Sequence, residues 1–364
     1  MSLLTEDLQV SKGFLIKSSI HNYEVNFVDN YILSLKEKIK TGDILIIDKK
    51  VFNLYQEDLG YIVNKYKTIY LEPSENQKSY LGMAPIIEEL IQNGFKKNNC
   101  LIAIGGGITQ DVVAFLSQNM FRGVDWLFLP TTLLAQADSC IGGKSSINFG
   151  EYKNQLGNFY PPNEIIVETN FLQTLSHLDI RSGLGEMMHF FVLSSEKDFN
   201  FIKTNYTKSL TDFDTLKKLI FRSLEIKKKT IEIDEFDKKE RQVFNYGHSF
   251  GHAIESITNF RVPHGIAVCH GMDIANYLSY KLGYVDIGFR NKVREMLSLN
   301  WKKDELGQID IDKFVGALKK DKKNVANEVR VILTRGFGQM FKASIDVEGD
   351  ARKYLVEYFK NEAI

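Results

Sequence analysis

Short apolar runs alternate with amphipathic stretches through the first half of the chain. "DILIID" (43–48), "KTIYLE" (67–72), "CLIAIGGG" (100–107), "DWLFLPTT" (125–132) and "EIIVET" (164–169) have the length and β-branched content of buried strands. Between them, "SYLGMAPIIEELIQNGF" (79–95) and "TQDVVAFLSQNMF" (109–121) carry apolar residues at helical spacing. This alternation predicts an α/β domain built on a doubly wound, largely parallel sheet. After about Leu175 the strand-like runs thin out, and "IRSGLGEMMHFFVLSS", "LTDFDTLKKLIFRSLEIKKKTIEI" and "DIANYLSYKLGY" read as helices, with one late strand at "EVRVILT" (328–334). The predicted division is an α/β domain over residues 1–175 and a mostly helical domain over 176–364. A cleft between two such domains is the default place for a ligand.

Composition narrows the class. The chain has 364 residues, 44% hydrophobic and 25% charged, the proportions of a globular protein with two cores. Lys and Arg total 46, as do Asp and Glu, so no charge excess points to nucleic acid or to an anionic membrane. No apolar run approaches the ~20 residues that span a bilayer. The N-terminal "MSLLTEDLQV" lacks the basic start and apolar stretch of a secretory signal. Cys100, Cys140 and Cys269 form neither a CxxC motif nor a disulfide framework. The expectation is a cytoplasmic protein.

Three stretches hold candidate chemistry. In "LIAIGGGITQDVVAF" three glycines lie between a buried strand and a helix, where backbone N–H groups can approach a diphosphate. It is not GxGxxG, and the spacing alone fits a structural turn as well as a phosphate cradle. "PTTLLAQADSCIGGKSSINFGEYKNQLG" sets Asp138, Lys144, Lys153 and Asn154 among glycines, the pattern of either a phosphate-binding loop or a solvated surface loop. Finally, "RQVFNYGHSFGHAIE" and "RVPHG" place His248, His252 and His264, three of the chain's seven histidines, within 17 positions. His248 and His252 are four apart and share a helix face. Zinc also accepts a carboxylate, and Glu186 in "GLGEMMHF" lies in a weakly polar helical stretch where an unpaired charge would be costly. Spacing does not say which histidines bind.

Taken together, these stretches resemble the 3-dehydroquinate synthase family of sugar-phosphate cyclases. The resemblance runs in order through "GGGITQDVVAF", "FRGVDWLFLPTTLLAQADSCIGGK", "YKNQLGNFYPP", "GLGE", "DEFDKKERQVFNYGHSFGHAIE" and "HGIAV", with weaker echoes at "ENQK" (75–78) and "KDKKN" (320–324). It implies an N-terminal Rossmann-like NAD-binding α/β domain, a C-terminal helical metal-binding domain and an active site between them. The implied cofactors are NAD⁺ and a divalent metal, zinc or another ion such as cobalt. The implied reaction is a phosphate-eliminating ring closure of 3-deoxy-D-arabino-heptulosonate 7-phosphate to 3-dehydroquinate, a step of aromatic amino acid biosynthesis, with NAD⁺ regenerated in each turnover.

Carried over residue by residue, the resemblance implies Glu186, His248 and His264 as metal ligands, with His252 facing the substrate phosphate. Lys144, Asn154, Asn245 and a lysine of "DKK" (Lys322 or Lys323) join His252 there. Arg122 matches an arginine that reaches the phosphate from a partner subunit, which implies a homodimer. Lys227 and Arg241 match a pair that binds the substrate carboxylate, while Asp138 and Asp237 contact hydroxyls. NAD⁺ is implied to lie along Asp48, Glu75, Lys78, Gly105, Gly106, Gly107, Asp111, Thr131, Thr132, Asp138, Lys153 and Thr174.

The chain departs from the family pattern in "GLGEMMH", where His189 replaces a lysine that contacts substrate hydroxyls near the metal. Asp237 stands in for a glutamate, and Lys239 for a glycine. These changes suit either 3-dehydroquinate synthase or a cyclase acting on another sugar phosphate, such as sedoheptulose 7-phosphate or glucose 6-phosphate. The Lys227–Arg241 pair favours a substrate with a carboxylate. A metal-dependent NAD alcohol dehydrogenase and a non-catalytic relative are the rival classes.

Overall fold

The computed structural model describes residues 12–150, 152–302, 304–320 and 328–362; the N-terminal stretch 1–11 and the candidate phosphate ligands Lys322 and Lys323 lie outside them. The chain divides into two compact units, one formed by 1–175 with 227–236 and the other by 176–226 with 237–364.

The first unit is built on a seven-stranded sheet. Its strands are β1 (Gly13–Ile16), β2 (Tyr23–Phe27), β3 (Ile44–Asp48), β4 (Lys67–Leu71), β5 (Leu101–Gly105), β6 (Trp126–Pro130) and, after the hairpin β7 (Ile147–Phe149) and β8 (Tyr152–Leu156), β9 (Glu164–Val167). Their order is β1-β2-β9-β6-β5-β3-β4. All pairs are parallel except β1 with β2. β3 and β5 are buried along their whole length, as central parallel strands must be when both faces are covered. Alternation sends Leu45, Ile47, Ile102 and Ile104 into a core with Leu35, Leu59, Ile62 and Phe171. Their neighbours Ile44, Ile46, Leu101 and Ala103 are equally buried on the opposite face.

The strand predictions at 43–48, 67–72, 100–107, 125–132 and 164–169 each coincide with a sheet strand, two residues shorter where a glycine- or threonine-rich turn follows. The strands β1 and β2 at one end of the sheet and the hairpin β7–β8 were not legible. β2 (YEVNF) exposes every other residue, and β8 (YKNQL) is exposed throughout, so no apolar run marks either. The two helices Lys49–Leu54 and Gln56–Lys65 were also missed.

Residues 227–236, read from the sequence as part of the helical domain, cluster with the first unit. The reason is polar. Lys227 Nζ sits 2.7 Å from Asp138 Oδ1, and Glu232 and Glu235 accept hydrogen bonds from the backbone N–H groups of Lys17 (2.9 Å) and Ser19 (2.8 Å).

In the second unit, helices His177–Ser194, His248–Ile257 and His264–Lys281 form the centre, and β10 (Glu328–Thr334) pairs antiparallel with β11 (Met340–Asp346). The last of these helices is buried from Gly265 to Ser279. Glycines let the three helices touch backbone to backbone. A Cβ on Gly265 would lie 1.8 Å from the Ser182 carbonyl oxygen, and one on Gly185 would lie 2.2 Å from that of Gly265. Likewise a Cβ on Gly271 would meet the Gly247 carbonyl oxygen at 2.0 Å. Gly247 also has φ +79, a left-handed N-cap conformation that costs glycine little. Ser182 Oγ, accepting from Gly265 N at 3.1 Å, closes the first crossing.

A buried ion pair staples the same unit. Arg181 Nη1 and Nη2 each donate to the Glu305 carboxylate at 2.9 Å, and its Nε donates to the Asn300 carbonyl at 3.1 Å. Burial alone would raise the Glu305 carboxyl, but the His270 imidazole, its Nε2 3.9 Å from Oε2, and the two hydrogen bonds from Arg181 outweigh it and bring the pKa down to about 2.

Two predictions follow from this packing. Gly265→Ala should lower stability by about 1–3 kcal/mol, because its methyl collides with backbone. Gly60→Ala, where a Cβ meets nothing within 4 Å in a helix interior, should raise it by about 0.5–1 kcal/mol; urea denaturation of both variants reads the contrast. For Glu305, the folded pKa lies below the unfolded value, so its contribution is fully present above the ordinary 4.5 and is lost as pH falls toward about 2. Glu305→Gln should therefore cost about 2 kcal/mol at neutral pH and flatten the acid limb of the stability curve, measured by urea midpoints against pH.

Candidate functional site

In the first unit, the chain leaves β3 to one side for β4 and then crosses to β5 on the other, so β3 and β5 flank the switch in strand order. At such a switch, ligands bind beyond the carboxyl ends of the strands. Asp48 ends β3 and Gly105 ends β5, and a Cβ on Gly105 would lie 3.1 Å from the Asp48 Cβ and 2.3 Å from Thr109 Oγ1. Gly106 presses on Thr132, whose Cγ2 would be 2.9 Å from an added Cβ, while Gly107 faces open space. Thr131 N donates to the Gly105 carbonyl at 2.9 Å. Gly106 caps the helix Gly107–Asn119 without a side chain over its first N–H groups. A cradle of this form fits a diphosphate, with exposed backbone donors and no Cβ in the way.

Asp48 itself is 8% exposed and caps the helix Lys49–Leu54 by accepting from Lys50 N (2.8 Å) and Val51 N (3.2 Å). Burial raises its carboxyl above the ordinary value, and the cap hydrogen bonds work against that rise. Nearby in sequence, Lys78 Nζ pairs with Asp111 at 2.7 Å, and Asp111 Oδ1 accepts from Ser146 N at 2.9 Å. Glu75 accepts from Asn148 Nδ2 at 2.8 Å and lies 4.0 Å from Lys153 Nζ. Asn148 in turn accepts from Asn154 N at 2.9 Å, with Asn154 in the left-handed region at φ 56. Thr174 Oγ1 is 3.0 Å from the Tyr55 hydroxyl.

Asp138 lies on a single π-helical turn, Ala135–Ser139, rather than in an open loop, and Lys227 also donates to its carbonyl at 2.7 Å. Lys144 is exposed, its ammonium 6.0 Å above the Phe159 ring. Arg122 is not brought to the glycine turn. It follows the far end of the 13-residue helix Gly107–Asn119, about 20 Å along the axis from Gly106. There it belongs to a strained turn in which Phe121 and Arg122 have φ 50 and 62.

The second unit assembles the histidines. The glycine crossings bring Glu186 on helix His177–Ser194 against the helices that begin at His248 and His264. Ring centroids of His248, His252 and His264 form a triangle with sides of 5.3, 5.6 and 5.7 Å. Glu186 is 3% exposed, with His248 Nε2 3.5 Å from Oε1 and His264 Nε2 3.8 Å from Oε2. Ligand atoms of Glu186, His248 and His264 all lie within 4.8 Å of one another. Burial would raise the Glu186 carboxyl, but the imidazoles of His248, His189 and His264 hold it well below the carboxylate range. Its Oε2 is buried with no hydrogen-bond donor among the described residues.

Both histidines turn Nε2 toward Glu186 because Nδ1 is engaged elsewhere. His248 Nδ1 faces the Tyr246 carbonyl at 3.3 Å, and His264 Nδ1 faces Glu255 Oε2 at 3.2 Å. Outer hydrogen bonds of this kind fix which nitrogen is free to bind a metal. Donor set, orphaned carboxylate oxygen and oriented imidazoles together fit a divalent ion of the zinc or cobalt type. Glu255 escaped the sequence reading, although its position three residues after His252 on one helix is the signal that could have found it. It also forms a second three-residue group with His252 and His264. His252 is exposed at its outer edge; desolvation against the cluster, then the like charges of His248 and His264, lower its imidazole pKa.

The polar residues expected before the histidines share one segment. Asp237 takes φ 56, and its carbonyl accepts from Gln242 at 3.1 Å. Arg241, 4% exposed, and Asn245 lie on the short helix Glu240–Asn245 that leads into Gly247. Asn245 Nδ2 donates to the Gln242 carbonyl at 2.9 Å. His189, a catalytic candidate because it stands where the family carries a lysine that contacts substrate, is 0% exposed, packed among Phe190, Phe244, Tyr246 and His248, with Nδ1 3.6 Å from Glu186 Oε1.

Comparison with known proteins finds relatives over most of the chain. Residues 68–182 match the family described as 3-dehydroquinate synthase N-terminal, and residues 183–324 the family described as 3-dehydroquinate synthase C-terminal. The 3-dehydroquinate synthase of Dictyoglomus thermophilum is 35% identical over 328 residues, covering 90% of this chain and 88% of that protein. Among solved structures, 2-deoxy-scyllo-inosose synthase complexed with carbaglucose-6-phosphate, NAD⁺ and Co²⁺ superposes with a TM-score of 0.83 at 21% identity, over 95% of this chain and 99% of that one. The 2-epi-5-epi-valiolone synthase of Streptomyces hygroscopicus, with NAD⁺ and Zn²⁺ bound, gives 0.82 at 20% identity over 96% and 99%. At these identities the two structures speak for the fold. With both halves matched in order and a relative at 35% identity over nine tenths of its length, the chain belongs to the 3-dehydroquinate synthase family.

Proposed function

We propose that this protein is an NAD⁺- and divalent-metal-dependent 3-dehydroquinate synthase, a lyase that closes the ring of 3-deoxy-D-arabino-heptulosonate 7-phosphate with loss of phosphate. The observation that carries the reading is the convergence of Glu186, His248 and His264, whose ligand atoms lie within 4.8 Å, in a chain 35% identical to a 3-dehydroquinate synthase.

Glu186, His248 and His264 hold the metal, zinc or cobalt, which supplies Lewis acidity toward a substrate hydroxyl. NAD⁺ lies on the turn Gly105–Gly107 and alongside Asp48, Glu75, Lys78, Asp111, Thr131, Thr132, Asp138, Lys153 and Thr174, and supplies a reversible hydride acceptor. The cradle's backbone donors hold the diphosphate, and the Lys78–Asp111 and Glu75–Asn148 contacts fix the rim beside it. Lys144, Asn154, Asn245 and His252 bind the substrate phosphate. A low His252 pKa keeps that ring neutral at physiological pH, so it serves the phosphate as a hydrogen-bond donor rather than as a fixed charge. Lys227 and Arg241 take the substrate carboxylate, Lys227 being held in place by Asp138. Asp138 and Asp237 orient hydroxyls.

Arg122, remote from the glycine turn of its own chain, serves the phosphate of a second subunit in a homodimer. Three free cysteines support a reducing, cytoplasmic setting. No helix among the described residues is long and apolar enough to cross a membrane.

Two measurements test the reading. With NAD⁺, Zn²⁺ and the heptulosonate phosphate, purified protein should release phosphate and form 3-dehydroquinate with no net NADH. Turnover of sedoheptulose 7-phosphate or glucose 6-phosphate instead would reassign the substrate, and accumulating NADH would mark a dehydrogenase. His264→Ala should lose bound metal by elemental analysis, whereas His252→Ala should keep it and weaken substrate binding by about 10–100-fold, the worth of one charge-assisted hydrogen bond. The reverse pattern would put the metal on the His248–His252 pair.

A further inference from the structure

His189 is the one histidine of the cluster with no place in the reading above. Its ring is 0% exposed, edge-on to Phe190 at 5.0 Å and to Phe244 at 6.2 Å, and parallel to Tyr246 at 6.2 Å. Phenylalanine or leucine would fill such a pocket without bringing polar nitrogens out of water. One of its nitrogens faces a carboxylate. His189 lies one helical turn after Glu186, on the same face, with Nδ1 3.6 Å from Glu186 Oε1.

Two imidazole nitrogens therefore flank that oxygen, since His248 Nε2 is 3.5 Å away. They are not equivalent once an ion is bound. A metal takes the lone pair of His248 Nε2, and the ring's proton then resides on Nδ1, beside the Tyr246 carbonyl at 3.3 Å. His248 has no proton left for Glu186. His189 Nδ1–H is then the donor that remains beside Oε1, while Oε2 points toward His264.

We propose that His189 is a positioning residue that holds Glu186 Oε1 from inside the protein and so fixes the carboxylate rotation that presents Oε2 to the metal. It acts through the ligand and touches no substrate. The inference rests on the metal site proposed above and extends it to a second layer, as Glu255 does for His264.

The test uses metal-depleted full-length wild type, His189→Leu, His189→Phe, His189→Asn and His264→Ala. Zn²⁺ affinity is read by competition with a chromophoric chelator, the Co²⁺-loaded forms by their d–d absorption, and the fold by circular dichroism. His189→Leu should bind Zn²⁺ about 10–100-fold more weakly than wild type, with shifted Co²⁺ bands and unchanged helical content. His189→Asn, whose amide nitrogen takes the place of the imidazole Nδ1 beside Glu186, restores an N–H donor and should recover most of the affinity and the wild-type spectrum. His189→Phe, which fills the space of the ring without a nitrogen, should behave as His189→Leu and carries the comparison if the leucine variant does not fold. Wild-type affinity and spectrum in both His189→Leu and His189→Phe would overturn the proposal while leaving the metal site intact. Equal Zn²⁺ binding by wild type and His264→Ala would instead overturn the metal site, and the proposal with it.

Discussion

Three helices of the second unit meet without side chains between them, and the candidate metal centre depends on that closeness. At Gly185–Gly265 and at Gly247–Gly271 a single added Cβ would fall within about a bond length or two of a carbonyl oxygen, between 1.8 and 2.2 Å. Ordinary helix pairs are separated by a layer of interdigitated side chains, 8–10 Å axis to axis. Removing that layer lets Glu186, one residue after Gly185, stand against His264, one residue before Gly265. The glycines beside the histidines are thus spacers for the backbone, which is how residues about 60 and 80 positions apart in sequence supply one donor set.

The same closeness creates an electrostatic problem whose answer defines the chemistry. A carboxylate 3% exposed pays a desolvation penalty that only cationic or metal partners offset. Glu186 has imidazoles on every polar side, and these hold it ionised. Tyr246 and Glu255 then set the orientation of His248 and His264 from behind. Two structural acceptors outside the site therefore determine which nitrogens face inward.

The first unit solves a different problem by sheet order. Parallel pairing aligns Ile47 with Ile104, so the strands beside the switch end level and Asp48 meets the glycine turn. Asp48 holds its position by capping the next helix, and Gly105 and Gly106 admit Thr109 and Thr132 close to the backbone. Here the side chains that line the cradle are also the ones that hold its walls.

Periodicity in the sequence was enough for the α/β and helical halves, because central parallel strands are apolar on both faces and buried helices repeat every three to four residues. It was silent on β1 and β7, which are only four and three residues long, on β2, which alternates buried with less buried residues, and on β8, which is exposed throughout. Likewise the sequence supplied the residue types of the candidate metal centre and, through family resemblance, the roles proposed for them. Helical spacing alone singled out His248 with His252, one turn apart on one helix. The joining of Glu186 to His264, the orienting contact from Glu255 and the burial of His189 were decided by helices crossing at glycines, a long-range packing event that no local spacing encodes. Residues 227–236 went to the first unit for a similar reason, because Lys227, Glu232 and Glu235 find their partners far away in sequence. Local chemistry and periodicity are written along the chain; which groups meet is fixed only when the backbone closes on itself.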